Sequence, residues 1–356
     1  MTRTCVAAAL VACITAGGAS AAVQKSTPSA RASRFGIAAG GNLQTLRGPD
    51  RARYFDGVKA VGARWIRIDV NWAFIQRSGP TSYDWTPIDR VVKAARRRKI
   101  SVLGALLYTP AWARAPGAAP SAPPANLGDF ARFAARAARH FGARGVHAYE
   151  VWNEPNIADF WWPGPDPARY TQLLKQAYVA IKRADRRATV VSAGLSPNGS
   201  YGSVDAQRMS PLTFLERMYA SGARGSMDAV GWHPYNFPAG LGYYPWSAWS
   251  QMSETSPSAR SIMRANGDGK KKIWATEWGA PTGSSSVSVT EAQQAELVAT
   301  GLRRLRSFAW AGPSFLYNFR DSGTNAADRE QNFGIVRYDW SPKPAYAAYK
   351  RALKKR

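Results

Sequence analysis

Cysteine is almost absent from this chain of 356 residues: Cys5 and Cys13 are the two that occur, and both lie within the first 21 positions. Residues 1–21 have the pattern of a cleaved leader, so we expect the mature chain to contain no cysteine. That excludes disulfides, a thiol nucleophile and a cysteine-ligated metal. A domain of more than about 300 residues can bury enough apolar surface to be stable without such cross-links.

Histidine is also scarce, with three residues in the chain: His140, His147 and His233. The first lies in a predicted helix and the second at the start of a predicted strand, so no cluster of histidines is available to bind a metal ion. We therefore expect neither a metal site nor a cofactor.

Acidic residues are few compared with basic ones: 23 Asp and Glu stand against 48 Lys and Arg, which gives a formal charge of +25. Three basic blocks occur, at residues 96–99, 270–272 and 354–356. Two interpretations stay open. The blocks form a solvated surface that complements helix dipoles, or they retain the protein on an anionic cell envelope or polysaccharide. No nucleic-acid-binding motif accompanies the charge, so we do not expect nucleic acid as a partner.

Long hydrophobic runs are missing, and the longest candidate is at the N-terminus. A basic start (Met1-Thr2-Arg3), an apolar stretch over residues 6–16 and Ala19-Ser20-Ala21 together predict a signal peptide over residues 1–21. The stretch is too short to span a membrane. Leu10-Val11-Ala12-Cys13 resembles a lipoprotein cleavage site, a less favoured route, and a disordered cytoplasmic N-terminus is the structural alternative. Both processing routes predict an extracellular protein.

From residue 35 onward, apolar β-type runs alternate with amphipathic helical patterns, after a Ser/Ala/Arg-rich linker over residues 22–34. Eight runs are candidate strands: 35–39, 65–70, 101–107, 146–152, 189–193, 229–233, 273–277 and 315–319. Strict alternation predicts a parallel sheet, and eight repeats predict an α/β fold of the (β/α)₈ TIM-barrel type, forming a single catalytic domain over residues 35–356. An open doubly wound sheet is the alternative, but Gly36-x-x-x-Gly40-Gly41 lacks the spacing of its phosphate turn.

Two glutamates stand where a predicted strand stops and a Pro/Gly-rich loop begins. Glu154 lies in Tyr149-Glu150-Val151-Trp152-Asn153-Glu154-Pro155-Asn156, and Glu277 lies in Trp274-Ala275-Thr276-Glu277-Trp278-Gly279. In a parallel barrel this position is the rim that carries the chemistry. Two carboxylates that face each other across the rim can cleave a glycosidic bond, because one protonates the leaving oxygen and the other meets the positive charge that develops on the sugar.

These motifs resemble those of the clan of retaining (β/α)₈ glycoside hydrolases that includes families 5 and 39. In that clan the acid/base glutamate ends strand four, after an asparagine, and the nucleophile ends strand seven, which matches the strands counted here. Other elements of the resemblance are Arg67, Trp232-His233-Pro234-Tyr235 and the tail from Tyr317 to Tyr346. Tyr108 and Tyr317 replace the histidine and tryptophan of family 5, so the resemblance favours the family 39-like side.

The resemblance implies Glu154 as the acid/base and Glu277 as the nucleophile. Arg67 and Tyr235 are suited to keep Glu277 ionised, and Asn153 to donate to the sugar 2-hydroxyl. His233 either binds a sugar hydroxyl or orients Glu154. Each of these residues also has a structural alternative. Glu154 could cap a helix, Glu277 could form a rim ion pair with Arg67, and Asn153 could be a turn residue. His233 could be a hydrogen-bonded rim histidine without a catalytic role, and Arg67 could pair with Asp69.

Fourteen tryptophans are many for a chain of this length. Those in or beside the predicted rim loops, in particular Trp72, Trp112 and Trp278, can stack on sugar rings and so predict an extended cleft, to which Tyr317 also contributes. About half of the rim tryptophans are expected instead to pack loops onto the barrel.

The function favoured by the sequence is a monomeric, secreted, retaining glycosidase that acts within an extracellular polysaccharide. An enzyme of the same mechanism that trims chain ends, a non-catalytic carbohydrate-binding envelope protein and a basic nucleic-acid-binding protein are the alternatives. The glycan itself is not readable from one sequence, because sugar specificity depends on loop geometry.

Overall fold

Eight parallel strands form a closed barrel in the computed structural model, which describes residues 34–354. The strands follow one another around the barrel in chain order: β1 (Phe35–Ala38), β2 (Trp65–Asn71), β3 (Ser101–Leu107), β4 (Ala148–Val151), β5 (Thr189–Ser192), β6 (Ala229–Trp232), β7 (Lys272–Trp278) and β8 (Ala311–Tyr317). Pairing of β1 with β8, for example Phe35 with Ser314, closes the ring. The predicted (β/α)₈ fold is confirmed.

Strand eight begins earlier than the sequence pattern suggests, at Ala311 instead of residue 315. The additional residues include Pro313, which cannot donate to a strand ladder. In the structure the register between β7 and β8 shifts next to this proline, between the pairs Ile273–Ala311 and Ala275–Ser314. Such an irregularity is where a strand tolerates proline.

Helices surround the barrel and run antiparallel to the strands. Their bounds are α1 (Gly48–Ala60), α2 (Trp72–Ile75), α3 (Thr86–Arg97), α4 (Leu127–Gly142), α5 (Pro167–Ala184), α6 (Pro211–Ala220), α7 (Ala248–Gln251), α8 (Ala259–Ala265), α9 (Glu291–Ser307) and α10 (Pro344–Lys354). Local chemistry fixes several of the starts. Asp166 caps α5 by accepting from the Arg169 amide, and Thr290 with Gln293 forms a capping box on α9.

Two apolar layers hold the domain together. The larger lies between strands and helices and includes the predicted stripe of α3: Ile88, Val91, Val92 and Ala95. The smaller fills the barrel interior and contains Ala38, Leu103, Ala148, Val191, Ala229, Trp274 and Phe315. A Cβ at position 312 would fall on the Trp274 indole, so glycine is required there. Because side chains fill the barrel interior, a substrate can bind only at an end of the barrel.

Several sequence predictions lie outside residues 34–354: the signal peptide with Cys5 and Cys13, linker residues 22–33, and the basic residues 355 and 356. Within the described part, no helix is both long and apolar enough to cross a membrane.

Candidate active site at the carboxyl ends of the strands

A cavity of about 600 Å³ opens at the carboxyl ends of the strands, within the size range of small-molecule sites. Residues at or just beyond the carboxyl ends of all eight strands contribute to it. Residues in its wall are, in strand order, Gly40, Asp69, Tyr108, Asn153 with Glu154, Ser196, Tyr235, Glu277 and Tyr317. The two glutamates selected from the sequence therefore share one cavity, at the rim where they were expected.

Glu277 projects from β7 and is held by two donors. Nη1 of Arg67 lies 2.5 Å from its Oε1, and the Tyr235 hydroxyl donates to its Oε2 at 2.9 Å. Burial would raise the pKa of Glu277, but Arg67, His233 and the Tyr235 hydrogen bond together hold that pKa below its usual range. Glu277 is thus kept ionised.

Glu154 lies on a tight turn after β4. Trp152 and Glu154 both have positive φ, at 76° and 43°, a region that residues other than glycine rarely adopt. The amide of Glu154 donates to the carbonyl of Gly194 at 3.0 Å, which anchors the turn to the segment after β5. The turn sends Glu154 into the cavity and the Trp152 side chain into the surrounding core, where it is 1% exposed.

His233 links the two glutamates. Its Nδ1 lies 2.7 Å from Oε1 of Glu154 and 3.9 Å from Oε2 of Glu277. Since both distances start at one nitrogen, the two carboxylate oxygens are separated by at most their sum, about 6.6 Å. Burial would lower the pKa of His233, but Glu277 and Glu154 raise that pKa above its usual value. Of the two roles considered, the structure shows the one in which His233 orients Glu154.

Arg67 is a positioning residue, because it is 1% exposed and its donors point to protein groups. Its Nε pairs with Glu150 at 2.5 Å, and its Nη2 donates to Oδ1 of Asn153 at 2.8 Å. The prediction that it contacts substrate is wrong, since Arg67 is not part of the cavity wall and its three nitrogens each donate to a protein group, Glu150, Glu277 or Asn153. The alternative Arg67–Asp69 ion pair is also not formed: Arg67 pairs with Glu150 and Glu277.

Glu150 was missed as a site residue. It is fully buried, and its Oε1 accepts from the amide of Gly194 and the hydroxyl of Thr276, both at 2.8 Å. The available signal was alternation along β4, which places residue 150 on the same side as Ala148, inside the barrel. A carboxylate facing the barrel interior needs a cation, and Arg67 is that cation.

Asn153 lies at the cavity wall and is 7% exposed. Its Oδ1 is occupied by Arg67. Arg67 thereby fixes the amide orientation, and the Asn153 nitrogen, which has no hydrogen bond among the described residues, remains for a sugar hydroxyl.

Three of the predicted aromatic contacts are wrong. Trp72 and Trp278 are both fully buried. Trp72 stacks on Phe133 with centroids 5.4 Å apart, and Trp278 meets Trp249 edge-on. Trp112 is half-buried, packs edge-on against Trp72 and lies outside the cavity wall. The rim loops form their own aromatic core against the helices, and this core takes up these rings.

Tyr317 lines the cavity, as predicted, and Trp246 reaches it from the long loop after β6. Trp246 is 45% exposed and stacks on Tyr244, with centroids 5.1 Å apart and planes inclined by 27°. A tryptophan backed by another ring but open on its other face presents a flat apolar surface to the cleft.

Known glycoside hydrolases resemble this chain in sequence and in fold. No family model matches the chain. A β-xylosidase from Caldicellulosiruptor saccharolyticus is 25% identical over 64% of this chain and 46% of its own length. A family 39 glycoside hydrolase from Bacteroides cellulosilyticus WH2 superposes with a TM-score of 0.70 at 25% identity, covering 90% of this chain and 63% of that one.

A monomeric β-xylosidase from Caulobacter crescentus CB15 superposes with a TM-score of 0.65 at 22% identity, covering 90% of this chain and 67% of that one. The chain thus spans less than half of the curated relative that it matches, and about two thirds of these solved structures. The resemblance to family 39-like barrels that was inferred from the motifs is confirmed.

Proposed function

We propose that this chain is a retaining glycoside hydrolase in which Glu277 is the nucleophile and Glu154 the acid/base. The observation that carries the proposal is the separation of the two carboxylates, whose nearest oxygens are no more than about 6.6 Å apart on either side of His233. Retaining enzymes place these groups roughly 5–5.5 Å apart, whereas inverting enzymes leave roughly 6.5–9.5 Å for a water molecule.

The first step forms a covalent intermediate. An oxygen of Glu277 attacks the anomeric carbon while Glu154 gives its proton to the glycosidic oxygen. The bond between that carbon and that oxygen breaks, the shortened glycan leaves as an alcohol, and the sugar remains as an ester of Glu277. Arg67 and Tyr235 hold the attacking carboxylate in its ionised form.

The second step returns the enzyme to its starting state. Glu277 is now esterified and has lost its negative charge, and the ionised Glu154 takes a proton from water as the water oxygen attacks the anomeric carbon. The ester bond breaks, Glu277 leaves as a carboxylate, and the sugar is released with the configuration that it had in the substrate. His233 keeps the Glu154 carboxylate in place through its 2.7 Å contact.

The cavity wall favours a neutral glycan. Five carboxylate side chains line it, against two guanidinium groups: Asp69, Glu154, Asp159, Glu277 and Glu330, with Arg208 and Arg329. Even with Glu154 protonated for the first step, four carboxylates face two guanidinium groups, and this surplus of like charge would repel an anionic sugar. The relatives named as β-xylosidases make β-xylosidic bonds the first to test.

Two modes of attack remain candidates. The open face of Trp246 at the cleft supports cleavage within a chain, because it offers a surface to sugar units beyond the bond that is cut. The β-xylosidase relatives favour release of single units from chain ends. Products from xylan distinguish them, since oligosaccharides report the first mode and xylose alone the second.

The test of the proposed function is hydrolysis across a panel of 4-nitrophenyl β-glycosides, xylan, β-glucans, galactans and uronate-bearing polymers. We expect turnover of at least one neutral substrate, with retention of configuration in the first-formed product by NMR. Glu154→Gln and Glu277→Gln should each lose activity on the natural substrate, by at least roughly 10²-fold. Glu296→Gln, at an exposed position on α9, is the matched control.

Unchanged activity in both glutamine variants would refute the catalytic assignment. Sugar binding without any turnover would instead support the non-catalytic alternative.

We also propose that the protein works outside the cytoplasm as a monomer in contact with an anionic envelope, on the basis of residues 1–21, the monomeric relative and the net charge. Export is tested by comparing the full chain with a variant lacking residues 1–21, in culture medium and cell fractions. An unchanged distribution between the two would contradict export. Light scattering of the purified protein tests the monomer.

A further inference from the structure

The barrel face opposite the cleft is built from the connections that join each helix to the next strand. Helices run antiparallel to the strands, so the last helical turn and the short connection after it lie at the amino ends of the strands. Seven such connections occur among residues 34–354: α1–β2, α3–β3, α4–β4, α5–β5, α6–β6, α8–β7 and α9–β8.

These connections concentrate basic residues. Counted from the last helical turn, each of the seven carries at least two Lys or Arg residues, and three of them carry a single Asp each. All but three of the chain's 23 acidic residues therefore lie elsewhere. We call this surface the basic face. The positive net charge is thus segregated to the side of the barrel away from the acidic cleft.

The few carboxylates on the basic face already have partners. Asp185 contacts His147 at 2.5 Å, Asp228 contacts Lys182 at 3.2 Å, and Asp268 contacts Lys271 at 2.9 Å. By contrast Arg186 and Lys270, like Arg97 of α3, are exposed and have no carboxylate within salt-bridge distance among the described residues. Their charge is available to an external partner.

Helix dipoles explain only part of this pattern. A cation in the last turn stabilises a helix, and the effect fades beyond that turn. Arg186, Arg187 and Lys270 lie past the helix ends, and the four consecutive cations at residues 96–99 run past the end of α3 as well. The stability of the helices therefore does not account for the basic residues at these positions.

We propose that the basic face binds an anionic cell-envelope polymer with repeating phosphate or carboxylate groups, leaving the cleft on the opposite side open to a neutral glycan. The cations are spread around a ring, which suits a long polymer better than a small anion. At physiological salt a charge acts over roughly 8 Å, so adjacent cations within one connection, such as those at residues 96–99, act together on such a polymer. We choose an envelope polymer as the partner because we propose that the protein is an extracellular glycosidase. The location of the cations on the basic face does not depend on that proposal.

Two triple variants test this with equal loss of charge. Arg97→Gln/Arg186→Gln/Lys270→Gln removes three cations from the basic face, and Arg47→Gln/Arg77→Gln/Arg90→Gln removes three exposed cations from the rim side. Binding is measured on immobilised poly(glycerol phosphate) and on polygalacturonate in about 0.15 M NaCl. We expect the wild type to bind, the first triple to bind roughly 100-fold more weakly with a shallower salt dependence, and the second to stay within about 2-fold.

Comparison of the two polymers tells whether phosphate or carboxylate is preferred. Equal weakening in both triples would overturn the proposal, because net charge alone would then explain binding. So would a wild type that binds neither polymer, or duplex DNA that displaces both polymers at lower concentration, since the partner would then be nucleic acid. Both triples should keep wild-type turnover of an aryl glycoside. If no glycoside is hydrolysed but polymer binding follows the basic face, the proposed catalytic function fails, whereas the assignment of a polyanion-binding site to the basic face stands.

Discussion

The hydroxyl of Tyr235 donates a hydrogen bond of 2.9 Å to Oε2 of Glu277, while Arg67 occupies the other oxygen of the same carboxylate. The two oxygens are therefore held by different kinds of donor, one neutral and one charged. The neutral donor can be removed without leaving a buried charge unpaired, which makes it the safer probe of how Glu277 is kept ionised.

Tyr235→Phe should shift the acid limb of kcat/KM towards higher pH. The hydrogen bond favours the ionised carboxylate and lowers the pKa of Glu277, so its loss raises that pKa. A hydrogen bond to a charged group is worth about 1.5–3 kcal/mol, which corresponds to about one to two pKa units. Tyr219→Phe, which loses a bond to Asp268 away from the cleft, is the control. Identical acid limbs in all three proteins would contradict this role of Tyr235.

Asp69→Asn should stabilise the protein at pH 7.5 but not near pH 3.5. Burial raises the pKa of Asp69 to about 6 from an ordinary 3.8, so between these values the folded state binds the proton more tightly than the unfolded state. Stability therefore falls as pH rises through that window, and asparagine avoids the loss. Because the side chain is half-buried, we expect a gain of roughly 1–3 kcal/mol in the free energy of unfolding.

The measurement is urea unfolding of both proteins at the two pH values. Asp159→Asn, at an exposed carboxylate of the same cavity, is the control and should show no such dependence. A gain of equal size at both pH values would mean that the charge of Asp69 is not its source.

Gly194→Ala should lower both stability and activity. A Cβ on residue 194 would fall on the imidazole of His233 and close to the hydroxyl of Thr276. Overpacking of this kind costs about 1–3 kcal/mol, and the displaced imidazole would carry Glu154 away from its position. We expect at least a 10-fold loss of kcat. Gly48→Ala, where nothing lies within 4 Å, is the matched control, and equal activity in the two variants would refute the contact.

Trp246→Ala should weaken turnover of long substrates and spare short ones. Its open face can stack on a sugar ring beyond the scissile bond, a contact worth about 0.5–1.5 kcal/mol, so kcat/KM for xylo-oligosaccharides should fall roughly 3- to 10-fold. Turnover of a 4-nitrophenyl monosaccharide should stay unchanged. Phe74→Ala, at a 68% exposed ring outside the cavity wall, is the control. Equal losses on both substrates would place Trp246 in a structural role.

Strand number, strand order and the two glutamates could be read from the chain because each depends on local information. Apolar periodicity marks a strand wherever one face is buried, and the switch to Pro/Gly-rich sequence marks its carboxyl end. The errors have local causes as well. Pro313 hid the start of β8, because the register shift that tolerates a proline depends on the neighbouring strand.

The aromatic predictions failed for a different reason. Whether an indole faces the cleft or the helix layer depends on the direction in which the chain folds back after the strand. Trp72 directly follows β2 and Trp278 ends β7, so both lie as close to the rim along the chain as Glu277 does. Trp246 lies far along the loop after β6, and its approach to the cavity is set by packing on Tyr244. No spacing in the sequence distinguishes these cases.

The sequence alone determined that eight β/α units form the domain and that carboxylates 154 and 277 end the fourth and seventh strands, since hydrophobic alternation and chain order are one-dimensional. Closure of the barrel decided what those carboxylates can do. Closure pairs Glu150 with Arg67 and places His233 between Glu154 and Glu277. It also places the basic connections together on the face away from the cleft. Such relationships join residues that are distant along the chain, and only packing in three dimensions sets the distances on which their charges act.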